Sequence, residues 1–164
     1  MPKQPNESNT KKKLDKLDCQ IVNLLQKDGR LSNTSIAKEL GIAEATVRTR
    51  LKRLINENII KIVAVGDPYK LGFGITGNIK IRIDTKEKDN IVDAIYRLKE
   101  VVHINLMTGN MDIDVDFIVK SLEELNDLIY NKISTIEGII NTETSLVMER
   151  VKENFAWGTG FDAE

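Results

Sequence analysis

The N-terminal third of the chain ends in a dense group of cationic side chains, Arg48, Arg50, Lys52 and Arg53. Apolar residues recur through the same segment at intervals of three and four, which predicts a helix with one buried face. The cations then lie on or beside its exposed face. Ammonium and guanidinium groups placed there bind phosphate oxygens, and arginine can also fork onto guanine. The segment therefore indicates a surface that contacts DNA.

The residues before this helix have the spacing of a helix-turn-helix. Ala37 is the small residue needed where two helices cross, Gly41 turns the chain, and Val47 plugs the second helix into the core. A recognition helix presents its N-terminal part to base edges in the major groove. The alternative interpretation is a solvated basic face on an ordinary three-helix domain. The predicted DNA-binding set comprises Ser32, which caps the preceding helix, then Glu44, Ala45, Arg48 and Thr49 near bases, and Arg50, Lys52 and Arg53 nearer phosphates.

Charge is divided unevenly along the 164 residues, although the net charge is only −1. Residues 11–61 carry 12 Lys or Arg against 6 Asp or Glu, whereas residues 62–164 carry 11 against 18. A basic N-terminal part can approach a polyanion, and an acidic C-terminal part is repelled by it. The two parts are therefore expected to have separate roles.

Several classes of protein are disfavoured by composition. The lone Cys19 argues against a disulfide framework, and no apolar run approaches the roughly 18–20 residues of a membrane span. The polar, lysine-rich start lacks the apolar stretch of a signal peptide, so a cytoplasmic protein without membrane association is expected. No nucleophile triad, paired thiols or phosphate-binding glycine string is present. We therefore predict that the protein is not an enzyme, with no catalytic residues, no metal and no cofactor.

The hydrophobic pattern after residue 74 alternates between strand and helix in the order βαββαβ, typical of a ferredoxin-like sandwich. The predicted fold class is thus α+β, with an N-terminal winged helix-turn-helix domain and a C-terminal ferredoxin-like βαββαβ domain. The β-branched run Ile59–Val65 predicts a strand that serves as wing or hinge. The expected division is a flexible basic arm at 1–13, the helix-turn-helix domain at 14–61, a hinge strand and linker at 62–74, an effector and oligomerisation domain at 75–152, and a tail at 153–164.

Three aspartates, Asp112, Asp114 and Asp116, alternate along the third strand of this second domain. With His103 on the neighbouring strand they raise the possibility of a divalent-metal site. The favoured interpretation is a set of cross-strand ion pairs, because Lys80 and Arg82 would face them from an antiparallel neighbour. On that interpretation His103 is a structural or interface residue.

Three strings together resemble one family. They are Leu14-Asp15-Lys16-Leu17-Asp18, Leu24-Leu25-Gln26-Lys27-Asp28-Gly29-Arg30, and Ile36-Ala37 followed by Leu40-Gly41-Ile42 and then Val47-Arg48-Thr49-Arg50-Leu51-Lys52-Arg53-Leu54. This pattern resembles the leucine-responsive regulatory protein/asparagine-synthesis regulator (Lrp/AsnC) family. The resemblance implies a homodimer paired through the C-terminal sheet, assembled further into tetramers or octamers.

The resemblance also implies an amino-acid effector that binds between dimers, near the hairpin after the second strand. The family's Gly-x-aromatic-Asp string falls on Gly109, Asn110, Met111 and Asp112, where Asn110 and Met111 depart from the usual acidic and aromatic residues. Asp112 would take the ammonium group, and amides of the turn the carboxylate. The alternative is a plain hairpin turn. The implied effector set also includes Thr142 and Thr144 at the start of the last strand.

Three functions are consistent with this architecture. The favoured one is a sequence-specific regulator of transcription that binds double-stranded DNA and whose binding or assembly responds to an amino acid. The second is an enzyme resembling the sirohaem decarboxylases, which share the two domains but need polar or histidine groups around a tetrapyrrole. The third is a general DNA-packing protein, which the near-neutral overall charge disfavours.

Overall fold

A computed structural model describes residues 14–161 of the chain. The described residues divide into two compact units, one formed by residues 66–151 and the other by residues 14–65 together with 152–161. The flexible arm predicted at 1–13 lies outside the described residues. The described part of the predicted C-terminal tail groups with the N-terminal unit.

Three helices form the N-terminal unit: α1 (Lys16–Lys27), α2 (Asn33–Leu40) and α3 (Glu44–Asn56). Asp15 and Asp18 form a reciprocal capping box at the start of α1, and Ser32 caps α2 by accepting from the Ser35 amide. Ala43 is the N-cap residue of α3 and makes no side-chain capping hydrogen bond, because alanine has no acceptor atom. The apolar stripes of the three helices meet in one core, whose fully or nearly fully buried members are Ile21, Val22, Ile36, Ala37, Val47 and Leu54.

The strand predicted at Ile59–Val65 is wrong for the described chain. Residues 60–66 have no regular secondary structure, and Ile62, Val63 and Val65 are about half or more exposed. β-branched residues favour an extended backbone, but a strand also needs a partner edge for its hydrogen bonds. No described segment of the same chain supplies that edge. Residues 60–66 therefore do not form the strand that was expected to serve as wing or hinge.

The C-terminal unit contains β1 (Ile75–Ile83), α4 (Lys88–Tyr96), β2 (Val101–Leu106), β3 (Ile113–Val119), α5 (Leu122–Asn126) and β4 (Ile139–Leu146). A 3-10 turn at Thr85–Glu87 precedes α4, and a π-helical segment, Asp127–Ile133, continues α5. The four strands form one antiparallel sheet in the order β2-β3-β1-β4. This is the predicted βαββαβ arrangement.

The two faces of the sheet differ in chemistry. Alternate residues of β1 and β3 are buried with α4 and α5 in a core rich in isoleucine, including Ile79, Ile81 and Ile113. The intervening residues carry polar and charged groups on the opposite face. Because successive side chains of a strand point to opposite faces, the odd or even position of a residue decides which face it occupies. Within the described residues no helix is both long and apolar enough to cross a membrane.

Candidate nucleic-acid interface and effector site

The turn between α2 and α3 has the geometry that the spacing predicted. Ala37 is buried at the helix crossing, and Val47 is fully buried. Gly41 ends α2 with φ +66°, in the left-handed region that glycine adopts at little cost. The amide of Ile42 donates to the Ala37 carbonyl at 3.0 Å, which closes the turn. The core contacts of these residues leave the opposite face of α3 toward solvent.

The outward face of α3 consists of small, hydroxyl and cationic side chains. Between Glu44 and Leu54 the exposed residues of α3 are Ala45, Thr46, Arg48, Thr49 and Lys52. Thr46 was not in the predicted set, although it lies on the same helix surface as Ala45 and Thr49. The Thr49 hydroxyl donates to the Ala45 carbonyl at 2.9 Å, so its lone pairs remain available as acceptors.

Glu44 connects the two helices of the motif. Its carboxylate accepts from the guanidinium of Arg48 and from the hydroxyl of Thr34, the latter at 3.2 Å. The hydrogen bond from Arg48, supported by the one from Thr34, holds the pKa of Glu44 below its usual value. Arg48 is nevertheless 69% exposed, so it can exchange this exposed pairing for a base edge. Glu44 is thus the partner of Arg48 within α3 in the absence of DNA.

Two of the predicted phosphate contacts have other partners in the structure. Arg50 donates to both oxygens of Asp15 and, at 2.8 Å, to Asp18, while Arg53 donates to the second oxygen of Asp18. The Asp18 side chain is only 1% exposed, and both guanidiniums are less than one third exposed. The hydrogen bonding that Arg50 donates to the Asp15 carboxylate lowers the pKa of Asp15 and raises the pKa of Arg50. This cluster of Asp15, Asp18, Arg50 and Arg53, the α1–α3 clamp, fixes α3 against α1.

Three residues of the predicted DNA-binding set have partners within the protein: Ser32 caps α2, and Arg50 and Arg53 belong to the α1–α3 clamp. Ser32 uses its hydroxyl to accept from the Ser35 amide at 3.0 Å and lies 2.8 Å from the Ser35 hydroxyl. Lys52 remains exposed between the two clamped arginines. A sequence signal for the clamp existed, because Asp18 falls within the apolar stripe of α1, where an unpaired carboxylate is costly.

A depression of about 430 Å³ lies on the polar face of the sheet, next to the hairpin between β2 and β3. Two cations and two carboxylates face it, Lys80, Arg82, Asp114 and Glu143, and its other walls are Met107, Thr108, Asn110, Met111, Ile113 and Asn141. Lys80 pairs in register with Asp114 of β3 and with Glu143 of β4. The depression therefore offers groups of both signs beside two flexible thioether side chains.

Two family models match the chain. One described as winged helix-turn-helix DNA-binding matches residues 14–61, and one described as Lrp/AsnC ligand binding domain matches residues 76–157. A relative from Pyrococcus furiosus, named an uncharacterized HTH-type transcriptional regulator, is 38% identical over 144 residues, which are 87% of this chain and 97% of the relative. The chain belongs to the Lrp/AsnC family.

Solved structures agree with this family and its fold. E. coli AsnC matches with a TM-score of 0.78 and 26% identity, covering 87% of this chain and 97% of that one. A transcriptional regulator from Neisseria meningitidis, crystallised with L-Met, matches in fold with a TM-score of 0.80 at 20% identity, covering 88% and 96%. The predicted family and α+β fold class are confirmed, and so is the function of a DNA-binding transcriptional regulator.

The Lrp/AsnC hairpin residues do not all face the depression. Gly109 forms the turn with φ +118°, and Asn110 and Met111 line the depression. Asp112 does not line it. Its carboxylate accepts from the Ile83 amide at 2.9 Å, and its own amide donates to the Ile81 carbonyl at 2.9 Å. Asp112 therefore joins the hairpin to β1, next to the register shift between Arg82 and Ile83.

The expectation that Thr142 and Thr144 line the same site is not supported. They pair with Ile81 and Ile79, whose side chains are fully buried on the helix-covered face. Paired residues of an antiparallel sheet share a face, so both threonines lie on the side opposite the depression. Their neighbours Asn141 and Glu143 line it instead. The threonines and the residues that line the depression are offset by one position along β4, and an offset of one position places a side chain on the other face of the sheet.

The acidic residues of β3 contact side-chain amide and imidazole groups. Asp114 accepts from the Asn78 amide at 3.0 Å, and Asp116 lies 3.2 Å from His103 Nδ1. Arg82 donates to the Asn110 carbonyl at 3.0 Å, not to an aspartate. The expected ion pairs are thus largely replaced by amide and carbonyl contacts. Across residues 14–161, no three or more His, Cys, Asp or Glu side chains converge as a metal site would need.

Proposed function

We propose that this Lrp/AsnC protein recognises specific duplex DNA through the outward face of α3. The observation that carries the proposal is the separation of the cations of α3: Arg48 and Lys52 are exposed, whereas Arg50 and Arg53 are bound in the α1–α3 clamp. Arg48 lies in the N-terminal half of the helix, which enters the groove, and Lys52 lies one turn further on, where the helix leaves it.

The contacts differ in kind along this face. Arg48 forks onto a guanine, Thr49 accepts at a neighbouring base, and Ala45 and Thr46 provide the close apolar approach that a thymine methyl group favours. Lys52 neutralises a phosphate and carries no sequence information. Ser32 and Glu44 act indirectly, as the cap of α2 and as the partner of Arg48. Arg50 and Arg53 contribute by fixing the angle of the recognition helix.

Fluorescence anisotropy with the duplex upstream of the protein's own gene tests this proposal, against a scrambled duplex of the same composition at the same salt concentration. We expect the native duplex to bind at least about a thousandfold more tightly, the lower range for specific recognition. Equal, weak binding to both duplexes would contradict a site-specific regulator and favour a DNA-packing role.

We further propose that the depression near the β2–β3 hairpin binds an amino acid. A zwitterion needs a cationic and an anionic partner a few ångströms apart, which Lys80 and Arg82 provide for the carboxylate, and Asp114 and Glu143 for the ammonium. Met107 and Met111 suit an apolar side chain, because thioethers adapt to irregular shapes. The structural neighbour from N. meningitidis, which was crystallised with L-Met, supports this class of ligand.

Isothermal titration calorimetry with a panel of free amino acids tests the effector site. We expect the Arg82→Ala variant to lose binding by roughly tenfold to a hundredfold, the loss of about 1.5–3 kcal/mol from one charged hydrogen bond. Thr144→Val is the matched control, since Thr144 lies on the opposite face of the same sheet and its substitution should leave affinity unchanged. Equal loss in both variants would contradict the location of the site.

The same proposal includes a homodimer that assembles further, as the family resemblance implies, in the cytoplasm where its DNA target lies.

No catalytic step is proposed. The sirohaem-decarboxylase alternative needs histidine or polar groups around a large cavity, but the one histidine of the chain, His103, lies on the sheet beside Asp116. An absorbance spectrum of the purified protein with a Soret band would favour that alternative.

A further inference from the structure

The C-terminal segment contacts the DNA-binding unit through a specific pair of hydrogen bonds. The side-chain amide of Gln26 in α1 donates to the Gly158 carbonyl at 3.0 Å and accepts from the Gly158 amide at 2.8 Å. One primary amide thus satisfies both backbone groups of a single residue, as a neighbouring strand would do. The two partners are separated by 132 positions in the sequence, so the contact is not a local turn.

The conformation of the segment is suited to this contact. Gly158 has φ +81°, which other residues adopt only with strain. A Cβ added there would lie 3.9 Å from Asn23 Oδ1, a buried oxygen for which the described residues supply no hydrogen-bond partner. Gly158 therefore lies directly over α1, with Gln26 and Asn23 beneath it.

The surroundings are apolar but only partly closed. An open depression of about 740 Å³ lies between the segment and the surface formed by α1 and residues 58–63, with Leu25, Ile62, Phe155 and Trp157 in its walls. Trp157 remains 74% exposed. Phe155 and Phe161 also remain 46% and 42% exposed, so the segment is only partly buried. The two hydrogen bonds of Gln26 are the specific contact within this partly open surface.

We propose that the surface around Gln26 is a docking site for the protein's own C-terminal segment, and that residues 152–161 act as a releasable latch on the DNA-binding unit. The occupant is this segment of the same chain, because Gly158 is the residue that supplies both the backbone pair and the left-handed conformation. None of the residues that line the depression beneath the latch belongs to α3, so the latch does not compete with DNA for the recognition helix.

The path of the chain between the two units gives the latch a consequence for DNA binding, which rests on the proposed function. The chain leaves the DNA-binding unit after residue 65 and returns at residue 152, so the docked latch adds a second tether to the first. β4, whose Asn141 and Glu143 line the effector depression, immediately precedes that second tether. Two tethers restrict the spacings at which paired DNA-binding units can engage two half-sites.

Fluorescence of Trp157, the one tryptophan of the chain, tests docking without DNA. In the full-length protein, Gln26→Ala should lower the steady-state anisotropy of Trp157, because the released segment rotates more freely. Gln20→Ala is the matched control, since Gln20 is an exposed glutamine on the same helix. Gly158→Ala should lower the anisotropy as well, whereas Gly160→Ala, with open space around its Cβ position, should not. Unchanged anisotropy in a folded Gln26→Ala variant would overturn the latch.

Subunit exchange distinguishes docking within a chain from docking on a second copy. A Gln26→Ala chain is mixed with a chain that has intact Gln26 and Trp157→Phe, so that all tryptophan signal comes from the Gln26→Ala chain. Anisotropy should stay low after exchange if each latch binds its own chain. A rise would overturn docking within the chain, since the released segment would then have bound the partner's intact Gln26.

DNA with altered half-site spacing tests the tethering role separately from docking. Inserting half a helical turn between two half-sites should weaken binding of the wild-type protein more than binding of the Gln26→Ala variant. Equal weakening in both proteins would overturn the tethering role and leave the docking result standing. Failure of both proteins to bind specific DNA would contradict the proposed function instead, because the fluorescence experiment does not depend on DNA.

Discussion

Replacing Asp18 with alanine is expected to lower the free energy of unfolding by about 3–5 kcal/mol, the range for removing one partner from a buried ion pair. Asp18 is 1% exposed and accepts from Arg50 and Arg53, and its loss leaves two partly buried guanidiniums without this carboxylate. Asp18 also accepts from the Asp15 amide in the capping box of α1. Urea denaturation followed by circular dichroism measures the change.

Asp28→Ala is the matched control for that experiment. Asp28 also pairs with an arginine, Arg30, but that guanidinium is 93% exposed, and exposed pairs contribute roughly 0–1 kcal/mol. The contrast between the two aspartates separates a buried clamp from an ordinary surface pair. An Asp18→Ala variant no less stable than Asp28→Ala would contradict the structural role assigned to the α1–α3 clamp.

Replacing Arg48 with alanine is expected to reduce discrimination between the native and the scrambled duplex by about 1–3 kcal/mol, which is the cost of one lost bidentate base contact. Arg48→Lys is expected to restore affinity for the scrambled duplex but not the discrimination, because an ammonium group keeps the charge and lacks the fork. Parallel anisotropy titrations on both duplexes measure the ratio.

The control for Arg48 is Arg97→Ala, which removes the same charge from an exposed position in the other unit. It should leave the ratio of the two affinities unchanged. If Arg48→Ala weakened binding equally on both duplexes, Arg48 would be a phosphate contact and not a base contact. That result would move the base-reading surface to Ala45, Thr46 and Thr49.

Much of the fold was predictable from local signals. Ser32 and Ser121 each cap a helix, Gly41 adopts the left-handed conformation after α2, and alternate residues of β1 and β3 are buried as their period of two indicates. These features depend on neighbouring residues alone. Propensity and periodicity therefore identified them without knowledge of the tertiary contacts.

The structure differs from the sequence-based expectations where one chain segment meets a distant one. Arg50 has the charge and the position in sequence of a phosphate contact. In the structure its guanidinium instead donates to Asp15 and Asp18, which lie more than thirty positions earlier. The strand at Ile59–Val65 needed a partner edge that the described chain does not offer. Thr142 and Thr144 were expected at the effector site from the family resemblance, whereas the register with β1 decides which face they occupy. Gly158 contacts Gln26 across 132 positions of sequence, so no local pattern indicates where the neighbouring Trp157 lies.

The salt dependence of DNA binding tests the division of cations on α3 most directly. The logarithm of the association constant falls linearly with the logarithm of salt concentration, with a slope of about −0.9 for each phosphate contact on duplex DNA. Lys52→Gln should make the slope shallower by about 0.9 for each DNA-bound protomer, whereas Arg50→Gln, in a protein shown to be folded, should leave the slope unchanged. A shallower slope in the Arg50 variant together with an unchanged slope in the Lys52 variant would contradict the proposed interface.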